Sequence, residues 1–358
     1  MTTTTRTDFD FIIVGQGIAG SLLAYLLEQR GQRCLLIDAP EQTAASEVAA
    51  GIINPLTGRQ YVKTWRADTL LPFARQFYRQ LEEALGLRCY HPRNILRVFT
   101  HSGEENDWLA RSAEPGCAPY MAPEAAPGAY AQYTAPCLGY GETLQTAQVD
   151  LWSICRELRS RWQQQDCWLA DTFDYAQLQL SKQGVQYRQY QARQLVFCEG
   201  WRLRSNPYFN YLPLQGNKGE VLIVQFPEVA FDKMIKNKVF IAPLSTGDYW
   251  VGGSSHNHFA DELPGEAGRS FVQQKLDEMI RTTYRVLAHR AAVRPTVRDR
   301  RPLLGRHPHH PQLAVFNGLG TKGASLAPYW AGEMVKMLLD GEMLDREVDI
   351  ARFAKLLP

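Results

Sequence analysis

Three glycines, Gly15, Gly17 and Gly20, stand in the spacing G-x-G-x-x-G directly after the apolar run Phe11, Ile12, Ile13, Val14. The first glycine of such a run permits a tight turn out of a strand. The second lets backbone approach a pyrophosphate, and the third lets the following helix pack close to the strand. The helix start, at Ile18 and Ala19, offers backbone N–H groups and a positive dipole end to the phosphates. Asp38 lies about 20 positions past the glycines, where a carboxylate accepts hydrogen bonds from an adenosine ribose. These residues together describe a dinucleotide site.

Such a site needs a strand, a turn, a helix and a second strand, and the sequence supplies each. Residues 11–14 form a short continuous apolar run, as expected of a parallel strand covered on both faces. Residues 21–30 read as an apolar-faced helix broken by Gly31 and Gln32, and 33–37 as a buried strand ending at Asp38. Residues 39–59 are small and glycine-bearing, so backbone there could lie close to a ligand. Ile52 and Ile53 are too apolar for a plain surface loop. Helical spacing runs over 68–87 through Leu71, Phe73, Phe77, Leu81 and Leu85, with Gly86 as its stop.

From 89 to 140 the rhythm changes: a strand over 95–100 precedes a stretch rich in proline, alanine and glycine at 114–136. Helical spacing returns over 148–162, and 194–200 reads as a buried strand ending in glycine. Residues 208–224 and 239–253 read as antiparallel strands, 268–288 as a helix, 313–316 as a strand and 325–339 as a helix stopped by Asp340 and Gly341. The expected architecture is an α/β nucleotide-binding domain assembled from 1–88, 141–207 and 291–358, with a second, antiparallel β-sheet domain inserted as 89–140 and 208–290.

At 358 residues, 45% apolar and 21% charged, the chain has the composition of an ordinary globular protein able to bury a large core. A net charge of +2 gives no general reason to expect a polyanionic partner. No apolar run approaches the roughly 20 residues that span a bilayer. The polar start at 1–8 reads as a short tail lacking the apolar core of a secretory signal. Seven cysteines without a CxxC pair argue against a disulfide framework and a structural zinc site, so a reducing cytoplasm is the expected location. The run His307, Pro308, His309, His310 is interrupted by proline and reads as a solvated turn rather than a metal site.

Beyond the N-terminal glycines and Asp38, three groups of residues carry a resemblance. They are Ser46 with Ala50 and Gly51; the R-P-x-x-x-D-x-x-P-x-x-G run Arg294, Pro295, Asp299, Pro302, Gly305; and the glycine motif Asn317, Gly318, Gly320, Thr321, Lys322, Gly323 with Pro328. With these the chain resembles the D-amino-acid oxidase superfamily of FAD-dependent oxidoreductases, which includes glycine oxidase, sarcosine oxidase and the oxidase part of MnmC proteins. The resemblance covers most of the length and implies a Rossmann-like FAD domain carrying the inserted β-sheet domain for substrate. It implies that Gly15, Gly17, Ile18, Ala19 and Gly20 hold the FAD pyrophosphate, Asp38 the ribose, and Ser46, Ala50 and Gly51 the run toward the flavin. Gly318, Gly320, Thr321, Lys322 and Gly323 would approach the flavin pyrimidine ring, with the helix behind them stabilising negative charge there. Arg294 matches the guanidinium that pairs with the substrate carboxylate, and Lys322 a second basic residue for the same group. Covalent-flavin relatives use a cysteine or histidine near the flavin; none lies in 317–328, so FAD is expected to be non-covalent.

The implied reaction is oxidation of the C–N bond of an amino acid or small secondary amine by hydride transfer to the flavin, with O2 or another acceptor reoxidising it. A second reading is the MnmC-like removal of a carboxymethyl group from a modified tRNA wobble uridine, which would need a basic surface for RNA. A third is a non-catalytic flavin-binding protein. A pyridine-nucleotide disulfide reductase is disfavoured by the lack of a second glycine unit and of a CxxC pair. Residues 89–140 and 229–290 match the family least, and Tyr211 and Tyr249 are weaker candidates for the pocket wall.

Overall fold

The computed structural model describes residues 7–39 and 41–357; the polar start at 1–6 lies outside them, as do Pro40 and Pro358. The chain divides into two compact units, one of residues 1–47, 151–217 and 293–358, the other of 48–150 and 218–292.

The first unit is built on a mixed sheet. Strand β1 (Asp8–Val14) runs parallel between β2 (Cys34–Asp38) and the strand Tyr190–Phe197, with Ile13 beside Leu36 on one side and Val196 on the other. Trp168–Ala170 extends the sheet beyond β2, and Leu313–Asn317 runs parallel to Tyr190–Phe197. Residues Phe11 to Val14 are all buried, which explains the unbroken apolar run. Helix α1 (Ile18–Gln29) and the C-terminal helix Gly323–Leu339 pack on this sheet with apolar faces. Asp340 caps the latter and Gly341 turns away at φ 71°.

The second unit holds a sheet in which Tyr249–Gly252, Phe240–Pro243, Met234–Lys236, Ile95–Phe99 and Gly139–Thr143 are successive neighbours. All these pairs are antiparallel except Met234–Lys236 with Ile95–Phe99, which is parallel. One face buries Val98, Leu222, Val224, Ile235, Ile241 and Val251 against Val272 and Leu276 of the helix Glu266–Asp277. Tyr249, a weaker candidate for the pocket wall from sequence alone, belongs to that core, where its hydroxyl accepts the Phe231 N–H at 2.8 Å.

Several boundaries differ from the sequence reading. The helix expected over 268–288 ends at Asp277, and Arg285–Val297 is a strand, because the pattern past 284 has period two rather than 3.6. The strand expected from 208 begins at Leu214; before it, the Asn206 carboxamide accepts the N–H groups of Tyr208 and Phe209 and folds the chain into turns. The helix expected from 148 begins at Leu151, since Ala147–Val149 pairs with Ile52–Ile53 and with Tyr90–Pro92. That small sheet also draws 48–88 into the second unit, away from the nucleotide-binding portion to which they were assigned. Residues 141–150 cluster there too, whereas 208–217 cluster with the first unit.

Among the described residues no helix is long and apolar enough to cross a membrane, and no group of three or more His, Cys, Asp or Glu is placed to hold a metal ion. None of the seven cysteines is in a disulfide among the described residues. His307 is buried against Tyr208 and Phe209, and its Nδ1 accepts the N–H groups of His309 and His310, so the histidine run closes its own turn.

Candidate active site

The turn between β1 and α1 is closed by backbone alone. A Cβ at Gly20 would stand 2.0 Å from the Gly15 carbonyl oxygen, and one at Gly15 would stand 2.5 Å from the carbonyl oxygen of Cys198. Ser46 Oγ accepts the Ile18 N–H at 2.9 Å and so ties the short helix Ala45–Val48 to the start of α1. Neither α1 nor Gly323–Leu339 carries an acidic side chain in its first turn. A Cβ at Gly323 would lie 3.3 Å from Ile18 Cγ2, so the two positive helix ends start side by side. Two such ends with no acid in their first turns offer N–H groups and positive potential that suit an anionic ligand.

Asp38 stands at the end of β2 inside a network the sequence did not suggest. Its Oδ1 accepts the Gln16 N–H at 2.9 Å and its Oδ2 accepts Arg159 Nη2 at 2.7 Å. Arg159 Nε donates to Gln16 Oε1 at 2.6 Å, Trp168 Nε1 donates to the same oxygen at 2.9 Å, and Gln16 Nε2 donates to the Cys155 carbonyl at 2.8 Å. Burial pushes the Asp38 carboxyl above the ordinary aspartate range, while the Gln16 N–H and Arg159 pull it back down. Each carboxylate oxygen keeps a lone pair for a ribose hydroxyl. Arg159→Met is therefore expected to weaken FAD binding about tenfold at pH 7 and further at pH 6, where Asp38 protonates more readily. Flavin titration of the apoprotein reads this directly, and an unchanged Kd would remove Arg159 from cofactor binding.

The second glycine motif lies against the strand that carries Arg294. The Gly320 N–H donates to the Pro295 carbonyl at 2.9 Å, and Asn317 Nδ2 donates to the Gly200 carbonyl at 3.0 Å. Gly318 and Gly320 both take positive φ, 73° and 56°. Arg294 Nη1 donates to Asn217 Oδ1 at 2.7 Å, and burial holds the guanidinium below its ordinary value. Lys322 caps the helix Gly323–Leu339; burial, helped by Arg300, brings its ammonium down to about 8. Thr321 completes the turn between Gly320 and Lys322. Asp299 of the R-P-x-x-x-D run has a structural task, accepting the Arg301 N–H and Arg352 Nε at 2.9 and 3.0 Å. Tyr211 lies edge-on to His307 in the histidine–aromatic cluster.

Ala50 and Gly51 belong to the second unit. Ala50 is buried, and Gly51 has φ 65° with its would-be Cβ 1.8 Å from the Val149 carbonyl oxygen, so no side chain fits there. The Gly51 carbonyl accepts the Val149 N–H at 2.9 Å.

Glu199 follows the strand Tyr190–Phe197 and accepts hydrogen bonds from Tyr175 Oη at 2.5 Å and Asn206 Nδ2 at 2.8 Å. Burial nevertheless pushes its carboxyl from 4.5 up to about 7. The folded state then keeps a proton that the unfolded chain releases, so this contribution is full below the ordinary carboxyl pKa and is lost as pH rises through about 7. Glu199→Gln stays neutral throughout. It is expected to change the melting temperature little at pH 5 and to stabilise the protein by about 1–2 kcal/mol at pH 8.5; equal shifts at both pH values would show that Glu199 titrates normally.

Comparison with known proteins adds three findings. The family model of FAD-dependent oxidoreductases of the DAO type matches residues 10–337. The bifunctional protein ThiO/ThiG of a Nostoc species is 24% identical over 357 residues, covering 92% of this chain and 53% of that protein. The chain thus spans about half the length of the curated relatives it matches. Glycine oxidase from Geobacillus kaustophilus superposes with a TM-score of 0.74 at 19% identity, over 97% of this chain and 98% of the other. Iminodiacetate oxidase from Chelativorans sp. BNC1 gives 0.75 at 20% identity, over 96% and 98%. These likenesses establish the shared fold.

Proposed function

The chain belongs to the DAO family of FAD-dependent oxidoreductases, and from that premise we propose that it oxidises the C–N bond of a small amine bearing a carboxylate, an amino acid or N-substituted glycine. The observation that carries the reading is Arg294, a half-buried guanidinium one residue before the carbonyl that receives Gly320 of the second glycine motif. In this reading Gly15, Gly17, Ile18, Ala19, Gly20, Asp38 and Ser46 hold the dinucleotide, with Gly318 to Gly323 at its flavin end. FAD, when bound by these residues, would supply the two-electron acceptor for oxidation at the carbon next to nitrogen.

The protein's own part is orientation and charge. Arg294 meets the substrate carboxylate as a planar fork, fixing the direction of the reacting C–H bond. Its Asn217 contact holds the guanidinium plane in place. Lys322 is charged below about 8 and adds a second cation for the same carboxylate. The amine enters unprotonated, so no protein base is required; the imine product leaves, and water converts it to a carbonyl compound and the free amine or ammonia.

The test is the visible spectrum of the holoenzyme under anaerobic addition of glycine, sarcosine, iminodiacetate and D-amino acids in turn. Bleaching by one of them supports the proposal and names the substrate class, and peroxide on readmission of air identifies O2 as acceptor. Bound flavin that none of them bleaches, together with a salt-sensitive RNA mobility shift, would move the assignment to a modified tRNA base.

A further inference from the structure

The sheet of the second unit carries two cations side by side, neither of them in an ion pair among the described residues. Ile95–Phe99 and Met234–Lys236 run parallel, and their register places Lys236 beside Arg97 on one face. On the other side of Arg97 stands Gly141, where a Cβ would come within 2.4 Å of the Trp108 ring. Arg97 is only 8% exposed, yet no carboxylate among the described residues lies within ion-pair distance of it or of Lys236. Its Nε makes one long contact, 3.4 Å to Thr143 Oγ1, and its guanidinium lies 5.5 Å over the Tyr61 ring. Lys236 Nζ donates to the Lys238 carbonyl at 3.2 Å and lies 4.7 Å over Phe240. The charged group that acts on both, Glu104, spends its Oε2 on Thr100.

A buried guanidinium without an anion costs several kcal/mol, and a second cation beside it adds repulsion. Burial pulls Lys236 to about 7, with Arg97 adding to the effect, and brings Arg97 to about 10. The backbone is also held away from its preferred form to complete this arrangement. Tyr61, a bulky residue, has φ 51° in the left-handed region, and its buried ring stands edge-on to Trp108 at 5.0 Å beneath Arg97. Such conformations persist where surrounding structure enforces them and cluster at ligand sites.

We propose that Arg97, Lys236 and Thr143 form a binding site for a small oxyanion, a carboxylate or phosphate group, on the sheet of the second unit. The fork of Arg97 and the hydroxyl of Thr143 supply directed donors, and Lys236 supplies a point charge.

The test uses the holoenzyme, titrated by calorimetry with malonate, inorganic phosphate and neutral malonamide at constant chloride. Saturable binding of malonate or phosphate, with none of malonamide, is expected; the tighter of the two identifies the oxyanion. Lys236→Met is expected to weaken that binding at least about tenfold while retaining FAD, and Arg294→Gln is expected to leave it intact. Arg97→Met should abolish it, and if that variant does not fold, Lys236→Met still decides. No saturable binding, binding unchanged in Lys236→Met, or binding lost in Arg294→Gln would each overturn the site. Because no turnover is measured, failure of amine oxidation and failure of this site are separate results.

Discussion

Arg294→Gln is expected to lower kcat/KM for the best amine substrate about a thousandfold while leaving flavin content and melting temperature near those of the parent. A forked guanidinium on a carboxylate forms two charge-assisted hydrogen bonds and fixes the plane of the ligand, and losing both in a half-buried site costs about 4 kcal/mol in the transition state. Glutamine can still donate to Asn217 Oδ1, the partner that Arg294 Nη1 reaches at 2.7 Å, so the loss should fall on substrate rather than on the fold. Arg294→Lys keeps the charge but not the fork and should lie between the two. The readouts are steady-state kinetics, the flavin absorbance ratio and thermal melting. A variant with parental kcat/KM would show that the carboxylate is held elsewhere, with Lys322 the next residue to replace.

What could be read in the sequence was local. The glycine spacing at 15–20 and the apolar run before it are both consequences of one turn packed by backbone, so residue types alone disclose them. Gly86 shows the same economy: it ends the helix Ala67–Leu85 at φ 67°, where other residues are strained. The site's supporting contacts are not local. Gln16 is merely an unspecified position inside the glycine spacing until Arg159 and Trp168, more than a hundred residues away, close on its carboxamide. Arg97 and Lys236 likewise sit in unrelated stretches and become neighbours only through a parallel strand register. The helix Ser102–Ser112 leaves no periodic signal in the sequence, because Trp108 is its one buried side chain, too little for an apolar stripe to show. Ile52 and Ile53 are too apolar for a loop, but their pairing partners Ala147 and Gln148 lie just where helical spacing sets in at 148, which hides the strand. Pattern gives elements where one face repeats; it gives no pairing, and pairing decides which unit a segment joins.

The glycine turn carries the other large effect. Gly20→Ala is expected to yield a colourless protein, with FAD affinity lowered about a hundredfold or more and stability lowered by about 3 kcal/mol. The new Cβ would sit 2.0 Å from the Gly15 carbonyl oxygen and 3.2 Å from its carbon, both backbone atoms, so no side chain can swing aside. Either α1 draws back from the turn or the turn opens, and both displace the N–H groups offered to the dinucleotide. Gly17→Ala is the matching control. Gly17 has φ −74°, within reach of alanine, and its Cβ would meet only Ser46 Oγ at 3.3 Å. That variant should melt like the parent while losing flavin through the closer approach its methyl group denies the pyrophosphate. Melting curves of the apoproteins and flavin titrations separate the two cases. If Gly20→Ala remains yellow and melts like the parent, the turn does not set the distance between strand, helix and cofactor, and the dinucleotide is held elsewhere.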